Sequence, residues 1–235
     1  MSDLSQQWLS ERLSPRVRVV TSTREAVGCT GQFGFNLATH VYDDPLAVEA
    51  NRNLLMHQIG VTIAPVWLDQ THSDRVVAVD LNSNQVHSAD GSYTEDASLP
   101  LAILTADCLP IVLWSENEIA VVHAGWRGLA NGIIGNALAK FGGSVSAWIG
   151  AGIGPCHYEV DDAVAAHFES NSALDPSRPG HYWFDLPKEA KSQLVSHGVQ
   201  EVAESGICTG CDSRFYSHRV EGPTGRFATV AWLES

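Results

Sequence analysis

The 235-residue chain is 44% apolar, and its 27 acidic against 14 basic side chains leave a formal charge of −13. Such a field repels nucleic acid and anionic bilayers, which excludes both as partners. No window reaches the roughly 18 consecutive apolar residues of a membrane span, and MSDLSQQWLSERL is acidic and polar where a signal peptide needs a basic start, so a cytoplasmic protein is expected. Five cysteines, an odd number in a reducing compartment, argue against a disulfide framework. No repeat, low-complexity tract or Pro/Ser-rich linker divides the chain, and one domain over residues 1–235 is expected.

Periodicity predicts a short helix from Asp3 to about Leu13, then a strand at Val17–Ser22. A helix follows, with Asp44 as N-cap, Pro45 in its first turn and Gly60 at its end; Leu46, Ala50, Leu54 and Ile59 recur along it at helical spacing. Strands are predicted near Val66–Leu68, Arg75–Val79, Leu101–Thr105, Ile111–Trp114 and Ile119–Val122. A helix from Leu129 to Phe141, a strand at Val145–Gly150, helices near Asp162–Phe168 and Pro187–His197, and a terminal strand at Phe227–Trp232 complete the series. Strands and helices interleaved in this way imply an α/β or α+β fold with a mixed sheet.

Three segments share one design. VWLDQTHSDR brings His72 just past a strand, LAILTADCLPIVLW puts Cys108 between two apolar strands, and IAVVHAGWRG ends a buried strand on His123. Two imidazoles and a thiolate are zinc ligands, and three protein ligands leave a fourth tetrahedral position open for water or substrate. From the residues alone, the more usual reading of His123 is a satisfied core histidine. Cys208 and Cys211 form a C-x-x-C pair with no second pair to complete a zinc ribbon, and plain packing is the expected role. The glycines of GAGIGPC suit either a phosphate or tight turns beside a sheet, with Cys156 and His157 close by.

LTADCLPIVLW, AVVHAGWRGLANGI, AWIGAGIGPCHYEV and CTGCDSRFYSHRVEGPTGRFATVAWL resemble the successive signature blocks of the laccase-domain family, from about Thr23 to Leu233. That family is also called polyphenol oxidase or DUF152, and includes purine nucleoside phosphorylase and peptidoglycan-editing members. The resemblance implies a mixed β-sandwich flanked by helices, in four αββα layers. It also implies a zinc site on His72, Cys108 and His123, which would carry the catalysis together with Arg52. FNLATHVYDDPLAVEANR is similar to the family segment that approaches substrate, which makes Asn36 a substrate-binding candidate and Arg52 a phosphate-binding cation. The other reading of Arg52 is a solvated helix-face side chain paired with Glu49. Gln70 either orients substrate or caps a turn; Arg127 is a further substrate-binding candidate, and both Arg127 and Asp107 flank ligands and could support the metal site. The chain departs from the family in STREAVGCTGQFG, where a Gly-Gly pair is common, and at His218 and Val220, where Tyr and Arg are common. No role is assigned to these two.

The resemblance implies phosphorolysis of adenosine, inosine and S-methyl-5'-thioadenosine to base and ribose 1-phosphate, with adenosine deamination as a second activity. Its partners would be a small-molecule nucleoside and phosphate. The alternative is a cysteine hydrolase or amidase that edits cell-wall precursors, with Cys108 as nucleophile and His123 or His72 as base; a third is a non-enzymatic partner protein with structural zinc. The ten histidines include no His-x-His pair, so multicopper laccase chemistry is not expected, although copper can occupy a His–Cys–His set in vitro. His123 is followed by Ala124 and Gly125, so the H-x-E signature of zinc nucleobase deaminases is missing.

Overall fold

A computed structural model describes residues 8–83, 85–168 and 173–234. Two sheets form the centre. The first is antiparallel, with strands in the order β1 (Leu9–Arg12), β2 (Val17–Thr21), β15 (Phe227–Leu233) and β7 (Leu101–Thr105). The second is mixed, in the order β14 (Val202–Glu204), β10 (Ser146–Ile149), β8 (Leu109–Trp114), β9 (Ile119–Ala124), β6 (Gly91–Thr94) and β4 (Val76–Ala78). A two-stranded ribbon joins β3 (Leu68–Asp69) to β5 (His87–Ser88), and β11 (Glu159–Asp161), β13 (His181–Phe184) and β12 (Leu174–Arg178) form a small antiparallel sheet.

The apolar runs explain the stacking, because a strand with side chains of both parities apolar must be covered on both faces. Between the two sheets, Val19, Leu101, Ile103 and Leu233 meet Val77, Val112, Val121 and Trp148. The outer face of the first sheet packs Ala102, Leu104, Ala228 and Val230 against helix α1 (Pro45–Ile59). The outer face of the second packs Ile111, Leu113, Val122 and Ile149 against α2 (Trp126–Asn131), α3 (Ile133–Leu138) and α5 (Leu186–Ser196). The result is the four-layer αββα arrangement expected from the resemblance. No helix among the described residues is long and apolar enough to cross a membrane.

Helix α1 begins and ends where its punctuation places it: Asp44 accepts from the Leu46 amide at 3.0 Å, and Gly60 closes the helix at φ 72°. Its buried face differs from the predicted stripe. Ala47, Val48, Asn51 and Leu55 face the sheet, while Leu46 is 74% exposed. Asn51 takes a core position because its amide ties down a loop, donating to the carbonyls of Thr30, Gly34 and Asn36 at 2.9–3.0 Å.

Other expectations need correction. The predicted N-terminal helix is instead the edge strand β1 over Leu9–Arg12, paired antiparallel with β2; its first residues lie outside the described residues. The single helix expected over Leu129–Phe141 is two, α2 and α3, because Gly132 between them sits at φ 89° and turns the chain out of the helix. Short helices α4 (Asp162–Ala165) and α6 (His218–Glu221) complete the fold.

Candidate metal and substrate site

Hairpin β8–β9 sets the geometry. Its register pairs Pro110 with His123, so Cys108, just before β8, and His123, near the end of β9, emerge at the same end of the sheet. Strand β6 lies on the other side of β9 with Gly91 opposite Val122, which brings Asp90 beside His123. The turn after β3 carries His72 to the same point. The ligand atoms of His72, Cys108 and His123 lie within 4.8 Å of one another. Cys108 Sγ is 4.0 Å from His72 Nε2, and the two imidazole rings meet edge to face at 4.8 Å.

Asp90, fully buried, holds this group in place. It accepts from the amides of Thr71, His72 and Ser73, from the Ser73 hydroxyl, and from His123 Nδ1 at 2.8 Å. Three of these bonds define the turn in which His72 adopts φ 59°, a left-handed conformation that costs a side-chain-bearing residue about 1–3 kcal/mol. The His123 bond fixes the tautomer that turns a bare Nε2 toward the other ligands. A second aspartate does similar work on the far side. Asp107, at φ 96°, accepts from the Thr209 and Ser217 hydroxyls at 2.8 and 2.7 Å and from the Arg219 amide at 2.7 Å. It thereby anchors the turn that presents Cys108.

Burial alone would push the Cys108 thiol up, but the imidazoles of His123 and His72 outweigh it and bring it down to about 6. His123 is moved the other way. Burial opposes its charge, yet Cys108 and Asp90 raise it to about 9. The donor set fits a metal of borderline softness: one sulfur and two nitrogens, with a carboxylate orienting one imidazole. Gly125 keeps the space open, since a Cβ there would come within 2.7 Å of Cys108 Sγ.

The three residues open onto a cavity of about 360 Å³, within the range of small-molecule sites. Gln70 and Arg127, both predicted for substrate, line it. The Gln70 amide is already engaged, donating to the Leu104 carbonyl at 2.8 Å and accepting from the Leu104 amide at 2.9 Å, so it joins the β3 segment to β7. Arg127 is exposed, its guanidinium 4.4 Å over the Trp126 ring.

Asn36 and Arg52 stand outside the cavity lining. The Arg52 guanidinium donates to the Leu37 carbonyl at 2.9 Å and stacks on Trp67 at 4.1 Å, and burial lowers it to about 10. Asn36 is fully buried; its Oδ1 accepts from the Arg226 amide at 2.9 Å, so it sets the backbone of a residue that does line the cavity. Sequence reasoning missed Arg219, Arg226, Tyr158 and His40, which also line it, and left His218 without a role although it lies there too. Only the family blocks around these positions could have drawn attention to them, since no local spacing does.

The family model described as "Multi-copper polyphenol oxidoreductase laccase" matches residues 18–234. A purine nucleoside phosphorylase of Pseudomonas aeruginosa is 40% identical over 232 residues, covering 93% of this chain and 94% of that protein. A protein of the same name from Xylella fastidiosa is 39% identical over 241 residues, covering 94% and 90%. Among solved structures, a Neisseria meningitidis protein of the DUF152 family superposes with a TM-score of 0.91 at 31% identity, over 97% of this chain and all of that one. YlmD from Geobacillus stearothermophilus gives 0.90 at 29%, over 100% and 98%. With a match that spans nearly the whole sequence and a common fold around it, the chain belongs to the laccase-like polyphenol oxidoreductase (DUF152) family.

Proposed function

We propose that this chain is a zinc-dependent purine nucleoside phosphorylase acting on adenosine, inosine and S-methyl-5'-thioadenosine. The observation that carries the reading is one cavity lined by His72, Cys108 and His123 together with Arg127, Arg219 and Arg226. In a chain of net charge −13, three guanidiniums gathered at one site are a specific provision for an anion. The name borne by the Pseudomonas and Xylella relatives supports phosphate and a purine nucleoside as the pair to be held.

Zinc on His72, Cys108 and His123 would supply a Lewis acid for a substrate oxygen. The chain's own residues do the rest. Asp90 keeps His123 in the tautomer with a free Nε2, and Asp107 keeps the Cys108 turn from relaxing. Arg127, Arg219 and Arg226 hold phosphate against its own charge and orient it for attack at the anomeric carbon. Tyr158 and Trp126 line the same cavity, their rings covered by the guanidiniums of Arg219 and Arg127. Arg52, first expected as the phosphate cation, is assigned a supporting role through Leu37, and Asn36 one through Arg226.

A second reading is favoured by one contact: Asp90 to His123 to Cys108 is an acid–imidazole–thiolate series of the kind that activates a cysteine nucleophile. A zinc-ligated thiolate is a poor free nucleophile, so the two readings separate on metal content. The test is to incubate metal-analysed protein with adenosine, with and without phosphate, and identify products by mass spectrometry. Adenine and ribose 1-phosphate formed only with phosphate, and lost in Cys108→Ala, are the expected result. Inosine in either condition would indicate the deaminase activity. No turnover with zinc bound would sink the nucleoside reading, and metal-free protein that cleaves amide substrates would establish the hydrolase.

A further inference from the structure

The C-x-x-C pair has the partners that its sequence neighbourhood lacks. About fifty residues upstream, Cys156 and His157 follow the turn after β10, and the fold brings that turn against the segment after β14 that carries Cys208 and Cys211. The ligand atoms of all four lie within 4.8 Å of one another. Cys156 Sγ is 3.5 Å from Cys208 Sγ and 3.3 Å from Cys211 Sγ; His157 Nδ1 is 3.3, 3.9 and 3.5 Å from the sulfurs of Cys156, Cys208 and Cys211. A tetrahedral zinc with Zn–S near 2.3 Å and Zn–N near 2.0–2.1 Å requires sulfurs about 3.8 Å apart and sulfur–nitrogen separations of about 3.6 Å. The sulfur–nitrogen edges straddle their value, and the two sulfur–sulfur edges, at 3.3 and 3.5 Å, are a few tenths of an ångström shorter than theirs.

We propose that Cys156, His157, Cys208 and Cys211 bind a second zinc ion in a closed Cys₃His site, separate from the open site on His72, Cys108 and His123. Two features beyond the spacing support a built site. The Gly154 amide donates to Cys208 Sγ at 3.2 Å, the kind of bond that stabilises a ligating thiolate. Glycines also let the two loops close: a Cβ on Gly210 would come within 2.7 Å of the His157 ring, and one on Gly154 within 3.4 Å of Cys208 Sγ. Four protein ligands leave no open position, so this ion is structural. What it fastens matters to the other site. The stapled segment carries Thr209, whose amide donates to the Gly152 carbonyl and whose hydroxyl donates to Asp107, the residue preceding Cys108.

Zinc is counted by plasma mass spectrometry in the full chain, in C208S/C211S and in H72A/H123A, and cobalt-loaded protein is examined by absorption. The cysteine variant is expected to lose one equivalent of zinc, whether or not the first site is filled. The histidine variant keeps that equivalent, and with cobalt keeps the intense thiolate-to-metal charge-transfer band of three sulfur ligands. Should C208S/C211S fold poorly, the single variant C211A and mercurial-triggered zinc release from H72A/H123A, in which the first site is disabled, give the same reading. Zinc content indifferent to Cys208 and Cys211, or a disulfide joining Cys156 to either of them in reduced preparations, would overturn the proposal.

Discussion

Asp90→Asn tests the account of the first site most directly. Asp90 Oδ1 accepts from the His72 amide and His123 Nδ1, and Oδ2 from the Thr71 and Ser73 amides and the Ser73 hydroxyl. An asparagine can satisfy one of these sets, and its NH₂ must face donors in the other. The less costly orientation keeps oxygen on the Oδ2 side and aims NH₂ at His72 and His123. That forfeits two hydrogen bonds to a buried carboxylate, each worth about 1.5–3 kcal/mol, so the loss in stability is about 3–6 kcal/mol. His123 can accommodate the NH₂ by moving its proton to Nε2, but this removes the lone pair that a metal needs, and zinc affinity should fall about 10–100-fold. Urea denaturation of zinc-loaded and chelated protein reads the first quantity; competition with a chromophoric chelator reads the second. A variant within about 1 kcal/mol of the parent and with unchanged zinc affinity would refute the role given to Asp90.

Arg127→Ala removes an exposed cation from the cavity wall, so initial-rate kinetics should show a phosphate KM raised about tenfold or more with stability changed by no more than about 0.5 kcal/mol. Gly152→Ala places a Cβ 2.5 Å from Leu109 Cδ2 and 3.0 Å from the Asp107 carbonyl; thermal unfolding should show a loss of about 1–3 kcal/mol, and kcat should fall because the displaced backbone adjoins Cys108. Glu118 is pushed up by burial but held lower by Ser115, Tyr93 and the Gly142 amide, for a net shift below the usual 4.5. A carboxylate lowered on folding contributes stability above its unfolded value and loses it as pH falls through its folded one, so the advantage of the parent over Glu118→Gln in urea titrations should shrink on acidification in that range and stay constant at neutral pH.

Much of the framework was legible because local and global preferences agree. Strand β7 coincides with its predicted bounds, and α1 is bracketed by Asp44 and Gly60 as its caps require. Strand β6 was not legible: no element was expected between Val79 and Leu101, yet Ser92 and Thr94 are buried in the second sheet. Missing β6 meant missing Asp90, which precedes it and has no sequence neighbour to mark it as a histidine's partner. The three metal-site residues of the first cluster were visible as soft ligands at strand ends. The cations beside them were not, because Arg219, in α6, and Arg226, just before β15, line the cavity from about a hundred residues away from Cys108. The second cluster was hidden for the same reason: two short pairs, each unremarkable alone, meet only after the chain has crossed the small β11–β13–β12 sheet and helix α5.

The left-handed turns at His72 and Asp107 bear on which ion the proposed first site would accept. Each is secured by a carboxylate that ties it to the rest of the fold rather than to an ion, so gathering the three ligands is accomplished by folding. Under the proposed function, an ion would arrive at, and depart from, a receptacle already shaped, with no refolding between tenants. Such a receptacle has little means of rejecting a neighbouring first-row metal of similar size, and intrinsic preference among these rises to copper and drops at zinc. On the proposed reading, occupancy would be governed by what the surroundings supply, and the same three side chains would answer to zinc or copper according to availability.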